Sequence, residues 1–143
     1  AGIRRRFDFH LKSDRLTVID DYAHHPMELE ASLKSVNALY ADKKIVVVFQ
    51  PHLYTRTRDF YREFASALSC ANQVVVVEIY PARELPIEGI TSQLIIDQVT
   101  SPVKRLTTKA ELIDTLKTLE FDVLLTVGAG DIDTYIPQIV KFL

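Results

Sequence analysis

Histidine, carboxylate and arginine side chains are concentrated in two short segments of the sequence. Residues 20–26 read Asp-Asp-Tyr-Ala-His-His-Pro, and residues 50–59 read Gln-Pro-His-Leu-Tyr-Thr-Arg-Thr-Arg-Asp. Imidazole and carboxylate groups can transfer protons near neutral pH, and guanidinium groups bind anions through charge-assisted hydrogen bonds. The clustering of these residue types predicts a polar site for binding or catalysis.

Several of these residues also have a structural interpretation. Asp20 and Asp21 are typical of a solvated loop or of a helix N-terminus, where a carboxylate meets the helix dipole. His25 precedes Pro26, which suits the first position of a helix. A metal site is a further alternative. It is disfavoured because adjacent histidines share one ion only with a strained backbone, and because the arginines of the second segment repel a cation.

A third candidate is the turn Gly128-Ala129-Gly130, which is followed by Asp131. Backbone N–H groups at the start of a helix favour an anion, so Gly128 and Gly130 are a possible anion-binding turn. The turn lacks the third glycine of a nucleotide-binding fingerprint. Its glycines are equally suited to bringing a helix close to its strand.

Strand-like and helix-like hydrophobic patterns alternate along the chain. Strands are predicted at residues 16–19, 45–49, 74–79, 103–106 and 123–127, with a lead-in hairpin strand at 6–11. Helices are predicted at residues 26–40, 57–71, 91–99, 108–119 and 131–143, the fourth opened by a capping box at Thr108 and Glu111 and the last kinked or delayed by Pro137. The pattern predicts an α/β fold, an open and mostly parallel Rossmann-like sheet of about six strands with helices on both faces.

Ligands of open α/β sheets bind outside the carboxyl ends of the strands. Both histidine-containing segments and the glycine turn follow predicted strands, and so does the segment 80–84, in which Arg83 and Glu84 are interpreted as a surface ion pair. The candidate site is therefore expected at one edge of the sheet.

Composition restricts the class of protein. The 143 residues, 48% of them hydrophobic and 25% charged, predict one globular domain over residues 1–143. A net charge of −2 favours neither nucleic acid nor an anionic membrane as a partner, and the apolar runs are too short to span a bilayer. The single cysteine, Cys70, is expected to be buried and suits a reducing compartment, and the missing initial methionine suggests a piece of a longer protein.

Four stretches of this sequence resemble the C-terminal domain of the Mur ligases, in the branch that joins L-alanine to UDP-N-acetylmuramate. They are residues 5–7 (Arg-Arg-Phe), 20–26, 49–57 and 128–132. The resemblance covers nearly the whole chain. The two long motifs are specific, whereas the glycine turn alone is not.

The resemblance implies an ATP-dependent ligase of peptidoglycan synthesis in the bacterial cytoplasm. In such enzymes ATP phosphorylates the carboxylate of UDP-N-acetylmuramate, and the amine of L-alanine attacks the resulting acyl phosphate. ATP and Mg²⁺ are held mainly by a central ATPase domain, and the UDP group by an N-terminal domain.

The resemblance also implies roles for individual residues. Arg6 is expected to reach the ATP phosphates, Asp21 to orient groups on the ATP side, and Asp21 and His24 to be the catalytic residues. A wall that meets alanine and the product carboxylate is implied for Tyr22, His24, His25, His52, Tyr54 and Arg56. Leu53 stands where many members carry arginine, so more of the cationic role falls on Arg56.

Glycine occurs only at positions 2, 89, 128 and 130, so the chain contains no P-loop. By itself the chain is therefore expected to be inactive and to bind no cofactor. Three alternatives stay open: a murein-peptide recycling ligase of the same family, a stand-alone α/β module that binds a small anion, and a metal-dependent hydrolase.

Overall fold

A six-stranded sheet runs through the computed structural model, which describes residues 7–143. In spatial order the strands are β1 (Asp8–Lys12), β2 (Thr17–Asp21), β6 (Val123–Val127), β3 (Ile45–Phe49), β4 (Gln73–Val76) and β5 (Val103–Leu106). β1 is antiparallel to β2 and carries a bulge between Phe9 and Leu11, and the other neighbours pair in parallel. The mostly parallel sheet predicted from the sequence is confirmed.

Helices cover both faces of this sheet. One face carries α1 (Pro26–Leu39), α2 (Tyr54–Leu68) and α3 (Gln93–Gln98), and the other carries α4 (Leu112–Leu116) and α5 (Ile136–Phe142). The first crossovers lead the chain outward from β2 to β5, and the chain then returns to insert β6 between β2 and β3. Because parallel crossovers are right-handed, this reversal places the later helices on the opposite face.

The two central strands, β3 and β6, are almost entirely apolar because both of their faces are covered. In β3, Val47 and Phe49 pack toward α1 and α2, whereas Val46 and Val48 pack toward α4 and α5. Every residue of β3 and β6 is buried. A strand covered on both faces favours apolar side chains along its whole length.

Some predicted boundaries were wrong. α2 begins at Tyr54 rather than at residue 57, and α4 begins only at Leu112. The predicted capping box closes a turn instead, in which the Glu111 N–H bonds to the Thr108 carbonyl at 3.1 Å. Cys70 is exposed rather than buried.

Pro137 acts as predicted. It lies in the first turn of α5, and the segment before that helix, Ile132–Tyr135, forms a single 3₁₀ turn. No helix within residues 7–143 is long and apolar enough to cross a membrane.

Candidate functional site

The two histidine-containing segments and the glycine turn meet at the carboxyl edge of the sheet. The strands end level with one another, because Asp21 and Phe49 both pair with Val127. Beyond β3 the chain stays close to the segment that follows β4, through an isolated bridge between His52 and Tyr80. The edge predicted from the sequence is the one at which these side chains gather.

His24, His52 and Arg56 come together here. The imidazole rings of His24 and His52 lie edge to face with centroids 6.3 Å apart, and the Tyr22 ring lies edge to face with His24 at a centroid distance of 5.5 Å. Arg56 Nη1 contacts His52 Nδ1 at 3.0 Å. We call His24, His52 and Arg56 the imidazole wall.

The contacts of the two imidazoles assign their tautomers. An arginine N–H only donates, so His52 Nδ1 accepts and the proton of neutral His52 resides on Nε2. His24 Nδ1 lies 3.2 Å from the Tyr22 carbonyl oxygen, which only accepts, so the proton of neutral His24 resides on Nδ1. Burial, the Arg56 charge and His24 hold the pKa of His52 below its ordinary value of 6.5. His52 is therefore a neutral donor at physiological pH.

Asp21 is hydrogen-bonded to the segment before α1 and to α1 itself. Its side chain is only 4% exposed, and its two carboxylate oxygens accept the Ala23 N–H at 3.1 Å and the Ser32 hydroxyl at 2.5 Å. These bonds fix the carboxylate at the end of β2, three positions before His24 of the imidazole wall.

His25 serves the fold directly. It is the N-cap of α1, and its Nδ1 accepts the Met27 N–H at 3.3 Å. The Glu28 carboxylate accepts the backbone N–H of His24 and of His25, each at 3.1 Å, and the His25 ring packs on Phe60. These contacts support the structural interpretation of His25, with Pro26 in the first turn.

Tyr54 lies at the start of α2, where a residue from another loop provides the cap. Glu84 accepts the backbone N–H of Tyr54 at 2.5 Å, and that of Thr55 at 3.1 Å, as well as the Thr55 hydroxyl at 2.5 Å. The Thr55 hydroxyl bond holds the pKa of Glu84 below its ordinary value. The surface-pair interpretation missed this role. The available signal is that the first turn of α2 has no acidic residue of its own.

The glycine turn is packed against its neighbours. A Cβ on Gly130 would lie 2.5 Å from Tyr80 Cγ, and a Cβ on Gly128 would lie 2.8 Å from the Gln50 carbonyl oxygen. The Gly128 N–H donates to the Asp21 carbonyl at 3.1 Å. The geometry favours the packing interpretation of these glycines over an anion-binding turn.

A polar network at the same edge has no counterpart in the sequence-based prediction. Gln50 is fully buried, and its Nε2 donates to Asp131 Oδ1 at 2.6 Å while its Oε1 accepts the Ile132 N–H at 3.0 Å. Lys109 Nζ lies 3.0 Å from both Asp131 oxygens. Although burial opposes it, hydrogen bonds from Gln50 and Lys109 keep the pKa of Asp131 below its ordinary value.

The sequence also offered Arg6 as a phosphate-binding residue and a metal site as an alternative. Arg6 lies outside the described residues. Among residues 7–143, no group of three or more histidine, cysteine or acidic side chains is arranged to hold a metal ion.

Comparison with known proteins gives related sequences of known activity. The chain is 53% identical to the UDP-N-acetylmuramate–L-alanine ligase of Phocaeicola vulgatus in an alignment 143 positions long that covers 99% of this chain and 31% of that protein. It is 51% identical to the ligase of the same name from Cytophaga hutchinsonii, covering 100% of this chain and 30% of that protein. The chain thus spans less than a third of the length of these relatives.

Solved structures share the fold. The UDP-N-acetylmuramate–alanine ligase of Thermotoga maritima superposes with a TM-score of 0.76 at 30% identity, over 96% of this chain and 29% of that one. A murein peptide ligase from Psychrobacter arcticus superposes with a TM-score of 0.77 at 15% identity, over 97% of this chain and 30% of that one.

The family model described as Mur ligase, glutamate ligase domain matches residues 5–130, a range that contains the sheet and the imidazole wall. On this match the chain belongs to the Mur ligase family, as a domain of the glutamate ligase type.

Proposed function

We propose that this chain is the C-terminal domain of an ATP-dependent ligase that joins L-alanine to UDP-N-acetylmuramate. The observation that carries the proposal is the imidazole wall at the carboxyl edge of the sheet. The chain is also 53% identical to an L-alanine ligase over an alignment that covers 99% of the chain.

The wall suits a small amino acid. A guanidinium has five N–H donors, and the contact with His52 uses only one, so Arg56 keeps donors for the alanine carboxylate. A charge-assisted contact of this kind fixes the amino acid for attack. The Nε2–H of His52 is a second donor for the same carboxylate.

The amine of alanine attacks only after it has lost its ammonium proton. We propose His24 as the group that accepts it, because its Nδ1 proton is directed to the Tyr22 carbonyl and its Nε2 keeps a lone pair. Asp21 is the alternative acceptor. Its two oxygens already accept bonds from Ala23 and Ser32, so its proposed role is to hold the start of α1 beside the site.

ATP would supply the phosphoryl group that activates the acid, and Mg²⁺ would neutralise charge on its phosphates. The sequence has no P-loop, so we propose that another domain of a longer protein holds both. In that protein Arg6 would reach the ATP phosphates, and the complete enzyme would act in the bacterial cytoplasm. We expect the isolated chain to be inactive.

A domain exchange tests the proposal. The matching region of the Phocaeicola vulgatus ligase is replaced by this chain, and phosphate release is measured with ATP, UDP-N-acetylmuramate and alanine. Release is expected to require all three, and to be absent from the isolated chain and from the ligase truncated before this region. A folded chimera that releases no phosphate, or an isolated chain that turns over ATP, would contradict the proposal.

The recycling ligase is the second candidate, because the murein peptide ligase and the alanine ligase superpose equally well on this fold. The same chimera is offered the tripeptide L-alanyl-γ-D-glutamyl-meso-diaminopimelate in place of alanine. A preference for the tripeptide would favour the recycling reaction. Calorimetric titration of the isolated chain with ATP and alanine tests the small-anion module, which alone predicts tight binding.

A further inference from the structure

The loop after β4 clamps the segment that carries His52. The backbone N–H of Tyr80 donates to the Pro51 carbonyl at 2.8 Å, and the Leu53 N–H donates to the Tyr80 carbonyl at 2.9 Å. The rings of His52 and Tyr80 stack with centroids 5.7 Å apart and planes 13° apart. The position of His52 therefore depends on this loop.

The same loop caps α2 through Glu84. The N-cap residue of α2, Leu53, makes no side-chain cap bond, so the first N–H groups of the helix need another acceptor. Glu84 accepts two of them and the Thr55 hydroxyl. Its negative charge also lies at the positive end of the helix dipole.

Leu53 has a strained backbone, with φ at +75°. A leucine adopts this conformation at a cost, and only where its surroundings impose it. Leu53 joins His52 to the first turn of α2, which contains Arg56. Relaxation of Leu53 would therefore change the direction of that turn and the 3.0 Å contact between Arg56 and His52.

We infer that Glu84 is a positioning residue for the imidazole wall. By capping α2 from the neighbouring loop it holds Leu53 in its strained conformation and keeps Arg56 against His52. The ligand of that wall rests on the proposed function, whereas the geometric role of Glu84 does not.

An NMR titration of His52 in this chain tests the geometric role. The charge of Glu84 raises the pKa of His52, and the charge of Arg56 lowers it more strongly. Glu84→Gln removes the charge but keeps an oxygen for the N–H groups, so the pKa of His52 should fall. Glu84→Ala removes the cap, Arg56 moves away, and the pKa should rise toward 6.5.

A fall of the pKa in both variants would overturn the inference, because Glu84 would then act only through its charge. Glu88→Gln, a change of the same charge at an exposed position of the same loop, is the matched control and should leave the titration nearly unchanged. If Glu84→Ala does not fold, Thr55→Val removes one of the three bonds, and a small upward shift is expected. No shift or a downward shift would then count against the inference.

Kinetics of the ligase chimera test the consequence for the substrate. Glu84→Ala is expected to raise KM for alanine by about tenfold with kcat nearly unchanged, because a displaced Arg56 weakens alanine binding. A merely destabilised domain would lower the active fraction, and hence kcat, at constant KM, and that result would contradict the positioning role. If the unsubstituted chimera does not use alanine, the proposed function fails, while the titration still decides the role of Glu84.

Discussion

His24 and His52 present opposite hydrogen-bonding chemistry at the same ring nitrogen, Nδ1. The His24 Nδ1–H donates a hydrogen bond to a backbone carbonyl, whereas His52 Nδ1 accepts a hydrogen bond from an arginine N–H. One ring therefore keeps an acceptor at Nε2 and the other a donor. An ammonium carboxylate such as alanine needs one of each.

Arg56 is expected to bind the carboxylate of alanine. In the ligase chimera, Arg56→Ala should reduce kcat/KM for alanine by about 2 kcal/mol, roughly 30-fold, through loss of a charge-assisted contact. Arg56→Lys should lose less, because it keeps the charge without the planar fork. An unchanged kcat/KM for alanine in Arg56→Ala would show that Arg56 does not bind the alanine carboxylate.

His52 should titrate below 6.5 in the folded chain, because burial and the Arg56 charge oppose its protonation. Because the folded pKa lies below the unfolded one, the folded state binds fewer protons, and stability should fall as the pH decreases below 6.5. Imidazole NMR shifts measured against pH check the midpoint. Arg56→Gln should raise it only partway, since burial is the larger cause. A midpoint at or above 6.5 in the unsubstituted chain would disagree with this geometry.

The residues that sequence analysis found and missed differ in one physical respect. His24, His52 and Arg56 stand within short motifs that follow predicted strands. Their residue types and spacing were therefore sufficient to predict that they lie at one edge of the sheet. Glu84 and Gln50 act through partners 29 or more positions away, such as Thr55 and Asp131. Those pairings depend on which strands are neighbours, and that is not encoded in local spacing.

In the glycine turn after β6, close packing leaves no room for a side chain at Gly130. Gly130→Ala should destabilise the fold by about 1–3 kcal/mol, because its Cβ would overlap the Tyr80 ring and the Gln50 side chain. Urea unfolding of the purified chain measures this loss.

Gly89→Ala is the matched control. Gly89 has φ at +80° with no atom within 4 Å of an added Cβ, so only backbone strain applies there. Its cost should stay within about 1 kcal/mol. If Gly130→Ala costs no more than this control, the turn is less closely packed than the structure indicates.

Helix boundaries were harder to predict than the helices themselves. The apolar spacing of α1 and α2 locates both helices, since their buried faces repeat over several turns. α2 nevertheless begins three residues before the predicted start, because Glu84, which lies in the loop after β4, caps its first turn. In α4 only Leu112 and Leu116 are buried, and the residues before them form a turn.

At the scale of the molecule, the ion pair of Lys109 and Asp131 joins the loop before α4 to the end of β6. Its partners keep the pKa of Asp131 below 3.8, so the pair contributes stability above that pH and loses it as the pH falls through the lower folded value. Lys109→Met should therefore reduce the free energy of unfolding at pH 7, and the difference from the unsubstituted chain should shrink below pH 3.8. Urea unfolding at several pH values checks this. A difference that is independent of pH would show that the pair contributes nothing.

Fold class follows from the alternation of apolar strands with amphipathic helices. Strand order does not, because β6 enters the sheet between β2 and β3 although it comes last in the chain. That insertion places residues 128–131 beside both histidine-containing segments. The site is therefore a product of topology as much as of motif.

The outer strands bear on how separate molecules behave at high concentration. β5 carries the exposed residues Lys104 and Arg105 at one margin, with the Lys104 ammonium bonded to carbonyls at the end of α3, and the bulge of β1 bends the other margin. Charge and curvature at an open margin discourage the strand-to-strand joining that seeds fibrils. Replacing those two cations with valine would remove that protection from a chain whose inner strands are rich in valine and leucine.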